Sequence, residues 1–111
     1  MLTIGACATT PVPTEQLAVT TAAVANAVSA GGQEQAPVEM GSARDKLVRA
    51  HLAVAAKDNG QALRLAQQAQ VDAQLAESKA GTLKAQKAQK AQAELLEAAR
   101  VLREEMGRKV P

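Results

Sequence analysis

The chain has no Phe, Trp or Tyr, a single His, a single Cys and four Pro in 111 residues. Each aromatic ring would bury roughly 150–250 Å², so a core built without them, from Ala, Val, Leu and Met, covers little area per residue. The same absence removes the stacking platforms that bind single-stranded nucleic acid, and a net charge of +2 is too small to imply nucleic acid by itself. One cysteine excludes an internal disulfide. No run of about 18 apolar residues occurs, so no transmembrane helix is encoded. Strand formers are too scarce for a β-sandwich or an α/β fold. What is abundant is Ala, 26 residues, and Gln, 11 residues, with Leu, Glu, Lys and Arg, all strong helix formers. The length allows one small domain, and the expected class is all-α.

Chemical constellations are equally sparse. The carboxylates nearest to His51, Asp45 and Asp58, lie six and seven residues away. A general base needs an oriented proton partner, and a zinc site needs three or four ligands; neither is encoded. Asp58-Asn59-Gly60 looks like the start of a calcium loop but lacks the remaining oxygen ligands, and reads as a turn. Gly31-Gly32 and Gly60 fall in no phosphate-binding spacing. The expectation is a protein that is not an enzyme, with no catalytic residue, cofactor or metal.

Residues 1–7 end in Ile4-Gly5-Ala6-Cys7, which resembles the end of a bacterial lipoprotein signal peptide. An aliphatic and two small residues precede a cysteine whose thiol would take up diacylglycerol, and small side chains let a peptidase cut beside it. Only six residues precede Cys7, fewer than the basic and apolar regions of a working signal; a start assigned too late, or a fragment, is the expectation. Lipid on Cys7 would anchor the chain at roughly 0.8 kcal/mol per buried methylene. Ala8 stands where an Asp would signal inner-membrane retention, so the outer membrane is expected, with the protein facing the periplasm. Residues 8–13 read as a Pro/Thr tether.

The rest, residues 14–111, reads as one helical domain with helices over about 14–30, 37–58 and 61–106. Thr14 is a candidate N-cap with Glu15 in the first turn, and Leu17, Thr21, Val24 and Val28 form one stripe. Gly31-Gly32 stops this helix; residues 33–36 read as a loop, and Pro37 suits the first turn of the second helix. There Met40, Ala43, Leu47, Ala50 and Val54 make a face that Val48, Leu52 and Ala55 widen, which predicts a helix sandwiched between neighbours. Asn59 and Gly60 are the candidates for positive φ in the turn that follows. In the third helix Ala62, Ala66, Ala69, Ala73, Ala76, Ala80 and Leu83 follow a four-three rhythm that allows close approach of a partner helix. Lys-Ala-Gln then repeats three times from Lys84, and a new stripe appears at Ala91, Leu95, Ala98, Leu102 and Met106.

Lengths suggest an interaction. A second helix of about 22 residues, roughly 33 Å, folded back antiparallel, covers half of the third, and the first reaches no further. The expected architecture is thus a three-helix antiparallel arrangement, a helical hairpin plus a short N-terminal helix, with a long projecting C-terminal helix. Isolated helices of that projecting length are marginal in water, so Leu95, Leu96, Leu102 and Met106 are candidate partner-binding residues. Lys79, Lys84, Lys87 and Lys90 form a basic face that could make weak contact with peptidoglycan or anionic lipid.

Ala36-Pro37-Val38-Glu39, Ala43, Lys46-Leu47, Asp58, Ala62, Leu65-Ala66, Ala69 and the run Asp72-Ala73-Gln74-Leu75-Ala76-Glu77-Ser78-Lys79-Ala80 resemble the small bacterial lipoproteins classed as domain of unknown function 4398. The resemblance spans Cys7 to about Arg103. It implies a lipobox, a helical hairpin and a long alanine-rich helix, and assigns no function; Asn59 departs from the aromatic that many members carry after the turn aspartate. Lys109 is followed by Val110 and Pro111, so covalent wall linkage through a terminal lysine, as in the murein lipoprotein, is not expected. The expected role is a lipid-anchored outer-membrane module that self-associates or docks on another helical envelope protein. The alternative is a soluble desiccation or stress protectant, suggested by the Lys-Ala-Gln repeats.

Overall fold

A computed structural model describes residues 10–109. Every regular element among them is helical: α1 Thr14–Ser29, α2 Gly32–Gln35, α3 Pro37–Ala55 and α4 Asn59–Lys109. The all-α class holds, with a long C-terminal helix. The chain divides between Ala80 and Gly81 into two compact units, and each has its own account below. The lipobox and the first two tether residues lie outside the described residues.

Local chemistry explains the helix ends, and several differ from the sequence expectation. Pro13, not Thr14, holds the N-cap position of α1, without a side-chain cap; its carbonyl already accepts from Leu17 N at 2.9 Å, so Thr14 falls inside the helix. Gly31 stops α1 by taking φ 89°, a conformation that is easy only without a Cβ. Residues 33–35 are not a loop. Gly31 O accepts from Glu34 N and Gln35 N, which closes the single turn of α2. Gly32 is buried there, and a Cβ on it would sit 2.8 Å from the Ala27 carbonyl oxygen and 3.0 Å from Met40 Sδ. Pro37 then opens α3, where its missing N–H costs nothing.

The α3–α4 corner differs too. α3 ends at Ala55, and Lys57, not Asn59 or Gly60, takes positive φ, at 62°. Asp58 N donates to Ala53 O at 2.8 Å and Lys57 N to Val54 O at 2.9 Å, the paired bonds of a Schellman C-cap. Asp58 next caps α4, its Oδ1 accepting from Gln61 N at 3.2 Å. Asn59 and Gly60 are therefore already helical.

In the first unit the alanine seam is the core. Ala62, Ala66, Ala69, Ala73, Ala76 and Ala80 all have zero exposure. One cluster joins Ala73 and Ala76 to Ala23, Ala27, Ala36, Met40 and Ala43; a second joins Leu65 and Ala66 to Ala50, with Leu17 and Ala53 packed against it. On α1 the buried stripe is Thr20, Ala23 and Ala27, one position away from the expected one; Thr21 and Val28 are exposed, and Leu17 and Val24 are half-buried. A seam of methyl groups accepts the small Ala23 and Ala27 at close approach, and takes in the β-branched Thr20 where its hydroxyl donates to Ala66 O at 2.8 Å. On α3 only Met40, Ala43 and Ala50 are buried, and Val48, Leu52 and Ala55 face solvent. α3 packs against both α1 and α4, as expected of a helix between neighbours, but along a narrower stripe than its apolar face.

Cross-helix pairs give the direction of packing. Glu39 meets Lys79 and Lys46 meets Asp72, so α3 and the first part of α4 run in opposite chain order. Thr10 O accepts from Asn59 Nδ2 at 2.9 Å and Thr20 Oγ1 donates to Ala66 O at 2.8 Å, so α1 runs in the same order as α4. In the second unit, residues 81–109, Leu83 is half-buried and every other described residue is exposed. Gly81 lies within α4. No described helix is long and apolar enough to cross a membrane.

Candidate functional site

Helical spacing brings Ala91, Leu95, Ala98, Leu102 and Met106 onto one face of the second unit, and Leu96 sits beside that face. Leu95 is 71% exposed, Leu96 66%, Leu102 59% and Met106 62%. Side chains of this size left in water forgo roughly 1.5–3 kcal/mol each relative to full burial. Ala98, Val101 and Leu102 floor a shallow apolar depression rimmed by Glu94, Glu97 and Glu105.

The charged side of the same helix is internally braced. Arg100 Nη2 donates to Glu97 Oε1 and its Nη1 to Glu104 Oε1, each at 2.6 Å. These are i,i+3 and i,i+4 neighbours, worth a few tenths of a kcal/mol per pair on an exposed helix. The hydrogen bond from Arg100 holds the Glu97 carboxyl below its usual range. Such bracing supports the helix without covering its apolar face.

Of the basic residues, Lys79 belongs to the first unit, where its Nζ donates to Glu39 Oε1 at 3.1 Å. Lys84, Lys87 and Lys90 are exposed in the second. His51 is exposed on α3, and among the described residues no group of three or more His, Cys, Asp or Glu is placed to hold a metal. Cys7 lies outside the described residues.

Sequence reasoning missed two polar clamps in the first unit. Thr20 is fully buried; its hydroxyl donates to Ala66 O and accepts from Gln16 Nε2, which also donates to Gln70 Oε1 at 2.7 Å. Asp72 Oδ2 accepts from Lys46 Nζ at 2.7 Å and Ser42 Oγ at 2.8 Å. Partial burial pushes the Asp72 carboxyl up, but the hydrogen bonds from Lys46 and Ser42 and the Lys46 charge outweigh it and hold the group below the usual aspartate range. The signal for the second clamp was present: Asp72 directly precedes a seam alanine, where a charge needs a partner.

Searches of curated proteins and of solved structures found no match. A family model matches residues 15–93, a narrower span than Cys7 to Arg103. It takes in α1 from its second residue, α2, α3, the alanine seam and the Lys-Ala-Gln repeats, and stops two residues before Leu95. Cys7 and the exposed Leu95, Leu96, Leu102 and Met106 thus lie on either side of the matched region. Since the match covers most of the chain, the protein belongs to the family described as Domain of unknown function (DUF4398).

Proposed function

We propose that this protein is a non-enzymatic lipoprotein of the bacterial outer membrane, held by lipid on Cys7 and acting in the periplasm as a helical interaction module. The observation that carries the interaction part is the exposure of Leu95, Leu96, Leu102 and Met106 on a single helix. Contiguous apolar surface of this kind marks a binding site, and a helix without packing partners is marginal in water. The anchoring part rests on Ile4-Gly5-Ala6-Cys7. More than one acyl chain at that cysteine makes membrane attachment stable.

Metabolic labelling with palmitate in a Gram-negative host, followed by membrane fractionation, tests the anchor. The protein is expected to take up label and sediment with the outer membrane, and Cys7→Ser to lose both. An unlabelled protein in the soluble fraction overturns the reading. A desiccation-protectant role draws on the exposed Lys-Ala-Gln repeats from Lys84. It requires a disordered chain in dilute buffer that gains helix on drying, whereas the interaction module melts cooperatively through its alanine seam; far-ultraviolet circular dichroism separates the two.

A further inference from the structure

We propose that the α3–α4 corner of the first unit is seated end-on against the headgroup layer of a phospholipid bilayer, held there by the segment that leads back to Cys7. The inference rests on the anchor reading above and says which surface that anchor presents to the membrane.

The segment before α1 is not a free spacer. Thr10 O accepts from Asn59 Nδ2 at 2.9 Å, which fastens it to the first turn of α4. Val12 O accepts from Thr14 N at 2.8 Å and Pro13 O from Leu17 N at 2.9 Å, so its far end is bonded into the start of α1. Pro11 and Pro13 each have a fixed φ, and with Val12 they line a shallow depression shared with Val19 and Leu63. Cys7 lies three positions before Thr10. At no more than about 3.6 Å per residue that stretch spans at most roughly 11 Å, whatever path it takes. A headgroup layer is itself about 5–7 Å deep, so lipid on Cys7 brings the corner to the headgroups.

The chemistry of the corner fits this place. Lys57, exposed at the turn, and Arg64, exposed one turn into α4, make no ion pair among the described residues. The Arg64 guanidinium donates to Gln61 Oε1 through Nε and Nη2, and a Cβ on Gly60 would lie 3.7 Å from its Nη1, so it reaches back toward the corner. Both cations suit lipid phosphates. Of the acids at this end, Asp58 is engaged as the cap of α4, and Glu15 sits in the first turn of α1, where the helix dipole favours it.

The flank of α3 suits a membrane less well. Val38, Asp45, Arg49, Leu52 and Ala56 are all exposed and share one outward line. The Asp45–Arg49 pair at 3.7 Å interrupts that line, whereas a helix lying in the interface needs an apolar face.

Because the chain has no tryptophan, a single introduced one is an unambiguous reporter. Ala56→Trp and Val38→Trp lie on the same face of α3, about 27 Å apart along its axis. The full chain, recovered with its lipid from the Gram-negative host, is placed in vesicles of phosphatidylethanolamine and phosphatidylglycerol that contain a headgroup spin-labelled lipid. The Ala56→Trp chain is expected to lose most of its emission to the label, and the Val38→Trp chain to keep its own. About ten Gly-Ser residues inserted between Ala8 and Thr9 add roughly 17 Å of mean reach and are expected to restore the Ala56→Trp emission with the melting midpoint unchanged. Quenching that survives the insertion overturns the segment as the holding element. In a palmitate-labelled chain, quenching at both sites means the hairpin lies along the surface, and quenching at neither means the corner stands off. Either result overturns the seating and leaves the anchor standing. A chain without palmitate label overturns anchor and seating together.

Discussion

Two stretches of one helix, both rich in alanine and glutamine, have opposite environments. Residues 62–80 of α4 place alanine at six consecutive seam positions, each with zero exposure. Residues 84–109 are again rich in Ala, Gln and Lys and hold Leu95, Leu96, Val101, Leu102 and Met106, with 11 charged residues where 62–80 have four, and every one is exposed. Burial here follows the presence of facing layers, not hydrophobicity. α1 and α3 supply Ala23, Ala27, Met40 and Ala43 to the seam, and small groups on all sides let backbones come close, so that many weak dispersion contacts add up. Beyond Gly81 no such layer exists among the described residues, and leucine stays in water where alanine was dry.

The largest expected difference comes from truncating one large side chain in each region. Met40 is fully buried and is the largest such side chain; Met40→Ala is expected to cost about 2–5 kcal/mol, seen as a lower melting midpoint by circular dichroism. Leu102→Ala, at a site 59% exposed, is expected to change the stability of dilute protein by less than about 0.5 kcal/mol. Equal costs would break the comparison. Enlarging an alanine gives the next contrast. Ala73→Leu overfills the seam and is expected to cost about 1–3 kcal/mol, while Ala98→Leu on the exposed face leaves the melt of dilute protein nearly unchanged.

The smallest expected effect sharpens the first region alone. Because the folded state lowers the Asp72 carboxyl, its contribution is fully present above the ordinary aspartate range and is lost as pH falls through the depressed folded value. Asp72→Asn should therefore cost about 1 kcal/mol at neutral pH, and its stability should fall less steeply in acid than that of the wild type. An unchanged acid limb in denaturant titrations would show that the Lys46–Asp72 pair contributes nothing.

Legibility in the sequence followed periodicity. The six seam alanines are readable because a four-three rhythm admits one buried face, but Leu83, expected to continue the rhythm, is only half-buried, and the buried Leu65 lies outside it. Gly31 as a stop and Pro37 as a start were readable because each has a backbone reason. The α1 stripe lies one position from the periodicity reading, since hydrophobicity favours Val28 and Leu17 over Thr20, Ala23 and Ala27; only the facing seam ranks a methyl group above an isopropyl group and offers the Thr20 hydroxyl an acceptor in Ala66 O. Lys57 could not be foreseen as the left-handed residue beside Asn59 and Gly60, because Asp58 was needed as the cap of α4 and that set where the turn fell. In the candidate site, the common face of Leu95, Leu102 and Met106 is a consequence of helical spacing, whereas Arg100 bridging both Glu97 and Glu104 depends on side-chain geometry.

The amino-acid order alone determined the helical class, the alanine row and the run of leucines beyond it, because propensity and periodicity are properties of neighbours along the chain. Tertiary structure decided which apolar residues are dry, that a buried threonine and a partnered aspartate fasten the three helices, and that the larger apolar side chains stay wet. Those outcomes depend on what stands opposite each residue, and facing residues here lie tens of positions apart in the chain.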